Sequence, residues 1–415
     1  MSRFLSISIA CLVAVPLAAQ SARPPAQHPR VVRALNAIRS DNPWTLDQQV
    51  SICEIPAPPF KEAVRAEEFR RRLVALGLVN VRIDEVGNVI GERPGTGGGP
   101  RVVISAHLDT VFPEGTDVAV RREGTRFSAP GIGDDCRGLA VLLQVAKAMQ
   151  AADVATTGDV IFVGTVGEEG EGNLRGVRHL FRAGRAAGID YFISVDGAGF
   201  EVTSRAVGSH RYRVTYEGPG GHSYGAFGMP NPIHALGRAM AKIAEIQVPA
   251  QPKTTFNVGV IGGGTSVNSI PFSATMDVDL RSESQAELDR ADARLQAAVQ
   301  AALEEEKARW PASTKSLTVK VEDLGRRPAG AQPDSAFIVQ AALASARALG
   351  ASTETAATST DSNIPIGLGI PAITIDGGGR GGGSHSLTEW YDDGERGWLG
   401  PQWALLIVAT LAGVR

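Results

Sequence analysis

The chain reads as an α/β protein in which a parallel-rich core sheet is interrupted by a smaller α+β domain. Solid apolar runs at 102–106, 160–163, 191–195 and 372–375 are separated by helical segments, the signature of strands buried on both faces of a sheet. Between about 207 and 325 the pattern changes to strict apolar–polar alternation interleaved with two helices, in the order β-α-β-β-α-β of a ferredoxin-like unit. A third observation is positional: each solid run opens directly into acids or a histidine. In open α/β sheets the ligand crevice lies at the carboxyl ends of the strands, so residues far apart in sequence converge there.

The elements follow in order. Arg3 precedes an apolar run over 4–19 that ends in small residues, Ala18, Ala19, Ser21 and Ala22, the layout of a secretory signal peptide. Residues 1–21 are therefore expected to be removed on export, placing the mature chain in the periplasm or outside the cell. The run is short for a membrane span, so no stable membrane insertion is expected after cleavage; an uncleaved anchor is the alternative. Cys11 lies inside the run, leaving Cys53 and Cys136 in the mature chain. Two cysteines are too few for a disulfide framework, and whether they pair is open.

Phe60, Val64, Phe69, Leu73 and Leu76 mark an amphipathic helix over 60–76 that stops at Gly77. Val79, Val81 and Ile83 alternate in a strand, and helices over 139–149 and 174–187 separate the next three runs. In the middle of the chain, Tyr212, Val214 and Tyr216 alternate, 232–246 reads as a helix and 255–261 as a strand. Phe272, Ala274, Met276, Val278 and Leu280 alternate, 285–308 is helical, and Leu317, Val319 and Val321 alternate again. The core resumes with a helix over 337–349. The expected division is residues 22–206 and 326–415 as a discontinuous core domain, with 207–325 inserted.

The 415 residues are 43% hydrophobic, enough for two buried cores. The net charge is −3, so no global basic field exists to hold nucleic acid or an anionic membrane. Small-molecule or peptide chemistry remains.

The polar residues at the strand ends are His107 and Asp109 in SAHLDTV, Asp134 and Asp135 in GIGDDCRG, Glu168 and Glu169 in GEEGEG, Asp196 in SVDG and His385 in GGSHSLTE. Imidazole nitrogens and carboxylate oxygens are the donors of hydrolytic zinc sites. Two zinc ions would be balanced by three carboxylates and a hydroxide, whereas one would leave a surplus acid in a partly desolvated cleft. Each residue also has a plainer reading: Asp134 and Asp135 as helix caps, Glu168 and Glu169 as a solvated turn, the histidines as loop residues. Joint placement at one sheet edge favours the metal reading.

This series resembles the dinuclear zinc exopeptidases and deacylases that include peptidase T, carnosinase-like dipeptidases, acetylornithine deacetylase and glutamate carboxypeptidase. The resemblance runs from about Ile55 to the C-terminus and implies a three-layer α/β/α catalytic domain with an inserted lid and dimerisation domain. It implies that His107 and Asp196 hold one Zn2+ (or Co2+ or Mn2+), that Glu169 and His385 hold the other, and that Asp134 bridges both through a cis peptide to Asp135. Asp109 would hydrogen-bond the His107 imidazole, and Glu168 would be the general base. His222 in GPGGHSYG would stabilise the oxyanion, often across a homodimer, and Asn268 in VNSIP and Arg281 in DVDLRS would contact substrate.

Two features depart from or refine that pattern. Cys136 and Arg137 stand where many relatives carry Lys or Asn followed by Gly or Ala. Asp196, where a glutamate resembles the carboxypeptidase and deacylase branch, resembles the aminopeptidase and dipeptidase branch, so short peptides with a free N-terminus are the expected substrate. An N-acyl amino acid amidohydrolase is the alternative, and a non-catalytic metal or peptide binder the second.

Overall fold

The structure is a computed structural model describing residues 22–182 and 188–415. The expected signal peptide over 1–21, and the last part of the helix expected over 174–187, lie outside the described residues.

A nine-stranded sheet forms the centre. Its parallel middle runs Val160–Thr165, Val102–His107, Tyr191–Val195, Ala372–Ile375. Antiparallel strands flank it, Val79–Ile83 and Val89–Arg93 on one side and Val202–Ala206 on the other. Successive side chains on a strand point to opposite faces, and here both faces are dry. Val102, Ile104 and Ala106 enter one core with Phe162, Ile193, Val195, Ile373 and Ile375. Val103, Ile161, Val163, Phe192 and Ala372 enter the other. The first core is closed by the helices Ala63–Ala75, Cys136–Ala151, Phe337–Ala348 and Leu399–Ala412, the second by Arg175–Phe181 and Asn363–Gly367. This is the three-layer α/β/α arrangement.

Differences from the sequence reading are local. The helix expected from Phe60 begins at Ala63. Phe60 has a φ of 65° and both it and Val64 are exposed, so the buried face is Ala66, Phe69 and Leu73. The helix expected over 174–187 ends at Phe181, because Arg182 is extended. The strand Val202–Ala206 and the helices Pro29–Ser40 and Asn42–Cys53 were not anticipated, although Val31, Ala34 and Ile38 of the first helix fall at helical spacing and are buried.

The second sheet is antiparallel in the order Thr254–Gly263, Ser273–Ser282, Gly208–Glu217, Thr318–Arg327. One face packs Tyr212, Val214, Tyr216, Ala274, Met276, Val278 and Leu280 against the helices Pro232–Ala244 and Gln285–Arg309. The other is polar, so Ser273–Ser282 alternates strictly between buried and half-buried residues. Cys53 and Cys136 are free thiols, both fully buried, and the Cys53 thiol donates to the carbonyl of Pro130 at 3.6 Å. Arg137 is also fully buried. It donates to the carbonyls of Gly377 and Gly397 and lies over the Tyr391 ring, tying the helix start to the C-terminal segment.

Candidate metal centre

The strand ends bring the acids and histidines together. His107 closes its strand, Asp196 follows Tyr191–Val195, and Glu168 and Glu169 occupy the turn after Val160–Thr165. Asp134 and Asp135, joined by a cis peptide, lead into the helix Cys136–Ala151. His385 arrives on the loop between Arg380–Gly382 and Trp390–Asp392. Its left-handed backbone, φ 64°, turns the ring inward.

Asp134 is the hub. Its Oδ1 lies 2.9 Å from His107 Nε2 and its Oδ2 lies 3.2 Å from His385 Nε2. Asp196 Oδ1 is 3.9 Å from the same nitrogen of His107, and Glu169 Oε1 is 3.0 Å from that of His385. One carboxylate thus faces two donor sets, one toward His107 and Asp196 and one toward Glu169 and His385. Asp135 is also near His107, but its oxygens accept from the amides of His107, Gly138 and Gly197. It positions the strand end and caps the helix.

The donor chemistry fits two cations. With protein groups alone, protons take the place of positive charge. Burial opposes a charge on His107, yet the hydrogen bond to Asp134 and the carboxylates of Asp135 and Asp196 hold its pKa well above the usual range. Hydrogen bonds to Asp134 and Glu169 raise His385 to about 10. Burial pushes Glu169 up to about 7, and burial together with the charge of Asp134 pushes Asp196 well up. For Asp134 burial works the same way, but the hydrogen bonds from His107 and His385 win and hold it low. A site that gathers protons this way is one where divalent ions would displace them.

Asp109 departs from its expected role. Its Oδ1 is 3.8 Å from His107 Nδ1, beyond hydrogen-bond reach. Its carboxylate instead accepts from the amides of Glu168 and Glu169, buried donors that need an acceptor. The imidazole is oriented by the backbone carbonyl of Asp109, 3.0 Å from Nδ1. A carbonyl can only accept, so Nδ1 carries a proton and Nε2 is left to face Asp134.

Three residues escaped the sequence reading. Glu389, buried four residues after His385, accepts from the amides of Gly131, Gly133 and Asp134 and so holds the loop that carries the hub. Arg327, the last residue of Thr318–Arg327, donates to Glu168 Oε1 at 2.9 Å. Arg211 lies beside Arg281, and the two share Asp279, at 3.0 and 2.8 Å.

A cleft of about 590 Å³ opens over these groups. Asp134, Glu168, Glu169, Asp196 and His385 line one side, while Arg211, Arg281 and Arg327 from the second sheet line another. Arg281 thus lines the cleft. His222 and Asn268 do not line it. His222 lies on a separate two-stranded ribbon, Gly221–His222 with Ser269–Ile270, and Asn268 in the turn just before its second strand; the ring of His222 accepts from the amides of Tyr224 and Gly225.

Comparison with known proteins agrees with this geometry. The model of peptidase family M20/M25/M40 matches residues 103–396. YqjE of Bacillus subtilis is 24% identical over 348 residues, 80% of this chain and 89% of that protein. Among solved structures, the aminopeptidase PepT from Bacillus cereus has a TM-score of 0.71 at 20% identity, over 89% of this chain and 98% of that one. The YXEP protein of Bacillus subtilis, a dinuclear metal-binding peptidase, has a TM-score of 0.63 at 20% identity, over 90% and 99%. The chain belongs to peptidase family M20/M25/M40 and is a metal-binding hydrolase of peptide or amide bonds.

Proposed function

We propose that this protein is a secreted or periplasmic, zinc-dependent exopeptidase that cleaves short peptides bearing a free N-terminus. The carrying observation is the division of Asp134, one oxygen toward His107 and the other toward His385, with Glu168 beside them in one cleft. His107 and Asp196 would hold one ion, Glu169 and His385 the other, with Asp134 between. Bound divalent cations would supply Lewis acidity, lowering the pKa of the attacking water and polarising the scissile carbonyl.

The remaining steps belong to the chain. Glu168 is 5% exposed, and its Oε2 has no hydrogen-bond partner among the described residues. That oxygen accepts the proton of the attacking water and delivers it to the leaving amine. Arg281 presents a guanidinium to the same cleft, a fork suited to a substrate carboxylate.

His222 and Asn268 serve the cleft of a second copy in this reading. Support comes from the outer strand Thr254–Gly263, which sits at a sheet edge with Val260 and Ile261 exposed, and from the exposed Tyr224, Phe227, Val267 and Phe272 nearby. Open edges and grouped apolar residues are surfaces that proteins cover. His222→Ala should lower turnover only in preparations that sediment as dimers.

The test is a substrate panel on the metal-loaded mature chain. Di- and tripeptides should turn over and N-acetyl amino acids should not. The reverse preference would make the protein an N-acyl amino acid amidohydrolase working through the same residues. No turnover of either class, with Glu168→Ala binding metal and peptide as the native chain does, would make it a binder.

A further inference from the structure

Arg327 stands where the chain leaves the second sheet, paired in register with Ser209, immediately before Pro328. It is 5% exposed, as is Glu168. Its NH1 donates to Glu168 Oε1 at 2.9 Å and to Ser359 Oγ at 3.2 Å, and its NH2 donates to the backbone carbonyl of Glu168. One guanidinium therefore grips the side chain and the main chain of the same residue. A two-point hold fixes the glutamate rotamer in a way that a single ion pair does not.

A substrate-binding role fits this arginine poorly. Arg281 engages Asp279 through Nε alone, leaving its terminal nitrogens for a ligand, whereas both terminal nitrogens of Arg327 are occupied. Its Nε is buried and has no partner among the described residues, so the side chain is committed to Glu168 at the expense of its own full satisfaction. A purely stabilising role fits poorly too. Removing two charges from water costs about as much as their attraction returns, so a buried ion pair is weak grounds for stability. What the contact does achieve is geometric. With Oε1 held, Oε2 is the carboxylate oxygen left for the reacting water.

We propose that Arg327 is a positioning residue that holds Glu168 in the orientation needed for proton transfer. The inference rests on the reading of Glu168 as the general base. Misplacing such a group by about 1 Å costs on the order of a hundredfold in rate. Arg327→Met should therefore lower kcat about a hundredfold, with KM changed less than about threefold. Arg327→Lys keeps the charge but loses the fork, and should recover about a tenth of native kcat.

Because Arg327 acts through Glu168, the double variant Glu168→Ala/Arg327→Met should be no slower than Glu168→Ala alone. Metal content should stay at the native value in each single variant at position 327. Native kcat in Arg327→Met overturns the proposal, as does a raised KM at constant kcat or a multiplicative loss in the double variant. Should Arg327→Met fail to fold or to hold metal, Arg327→Lys decides: lowered kcat at constant KM supports the proposal and native kcat overturns it. Full activity in Glu168→Ala would sink the general-base reading itself, whereas an inactive Glu168→Ala beside a native Arg327→Met would sink only this inference.

Discussion

In the nine-stranded sheet, consecutive residues such as Val103 and Ile104 enter two different cores. In the four-stranded sheet, Met276, Val278 and Leu280 enter a core while Asp277 and Asp279 between them pair with Arg213 and Arg211 on the neighbouring strand. Where both faces of a strand are dry, ionisable groups have little room along its length. They collect at the strand ends, where the helices and loops leave the backbone edge open, and the candidate metal centre forms there. Where one face is wet, charge spreads along it in cross-strand pairs, and the end of that face supplies the arginines of the cleft. Concentrated charge is coupled and irreplaceable, whereas the cross-strand pairs of the wet face away from the cleft, such as Arg213 with Asp277, are local and dispensable. Substitutions in the two regions should therefore differ steeply in effect.

The largest effect should come from the hub. Asp134→Asn should lower turnover by roughly a thousandfold or more, because several kcal/mol of charge stabilisation depend on the ions it orients. Steady-state kinetics read this loss. Next comes the doubly covered core: Phe162→Ala on a central strand should cost about 3–5 kcal/mol in urea unfolding, through lost burial and the cavity left behind.

A smaller, pH-dependent effect belongs to the second sheet and its helix. Burial would raise the Asp292 carboxyl, but hydrogen bonds from His210, Gln296 and Tyr212 hold it down at about 2. A depressed folded-state pKa stabilises the fold above the unfolded value near 4, and that contribution is lost as pH falls toward 2. Asp292→Asn should thus cost about 1–2 kcal/mol at pH 7, with the gap to the native chain closing below about pH 4. Denaturant titrations of the metal-free chain at several pH values read it. Least of all, Arg213→Ala, breaking its pair with the half-buried Asp277, should change stability by less than about 1 kcal/mol. A loss of several kcal/mol there would break the contrast between the two sheets.

The parts of the molecule legible beforehand were those in which local pattern and tertiary role coincide. Solid runs mark doubly covered strands, and the polar residues in the loops at that sheet edge mark the ligand crevice, so His107, Asp109, Asp134, Asp135, Glu168, Glu169, Asp196 and His385 could be gathered as candidates without coordinates, while their division into ligands and base came from the resemblance. Asp109 shows where the resemblance misleads. It implied a carboxylate–imidazole bond to His107, but the amides of Glu168 and Glu169 claim the carboxylate and leave the backbone carbonyl to orient the ring. Arg327 had no legible signal, since its partner lies 159 residues away and an arginine ending an alternating strand reads as solvated. Phe60 and Val64 are both exposed: Phe60 precedes the helix, and Val64, five residues before Phe69, lies off the stripe of Ala66, Phe69 and Leu73.

The central claim is that Asp134 joins two cation sites in one centre. Native mass spectrometry of the zinc-loaded mature chain tests it most directly. The account predicts two ions per native chain and, because both donor sets lose a shared ligand, depletion of both in Asp134→Asn. A native chain that holds fewer than two ions, or an Asp134→Asn chain that keeps two, would contradict it.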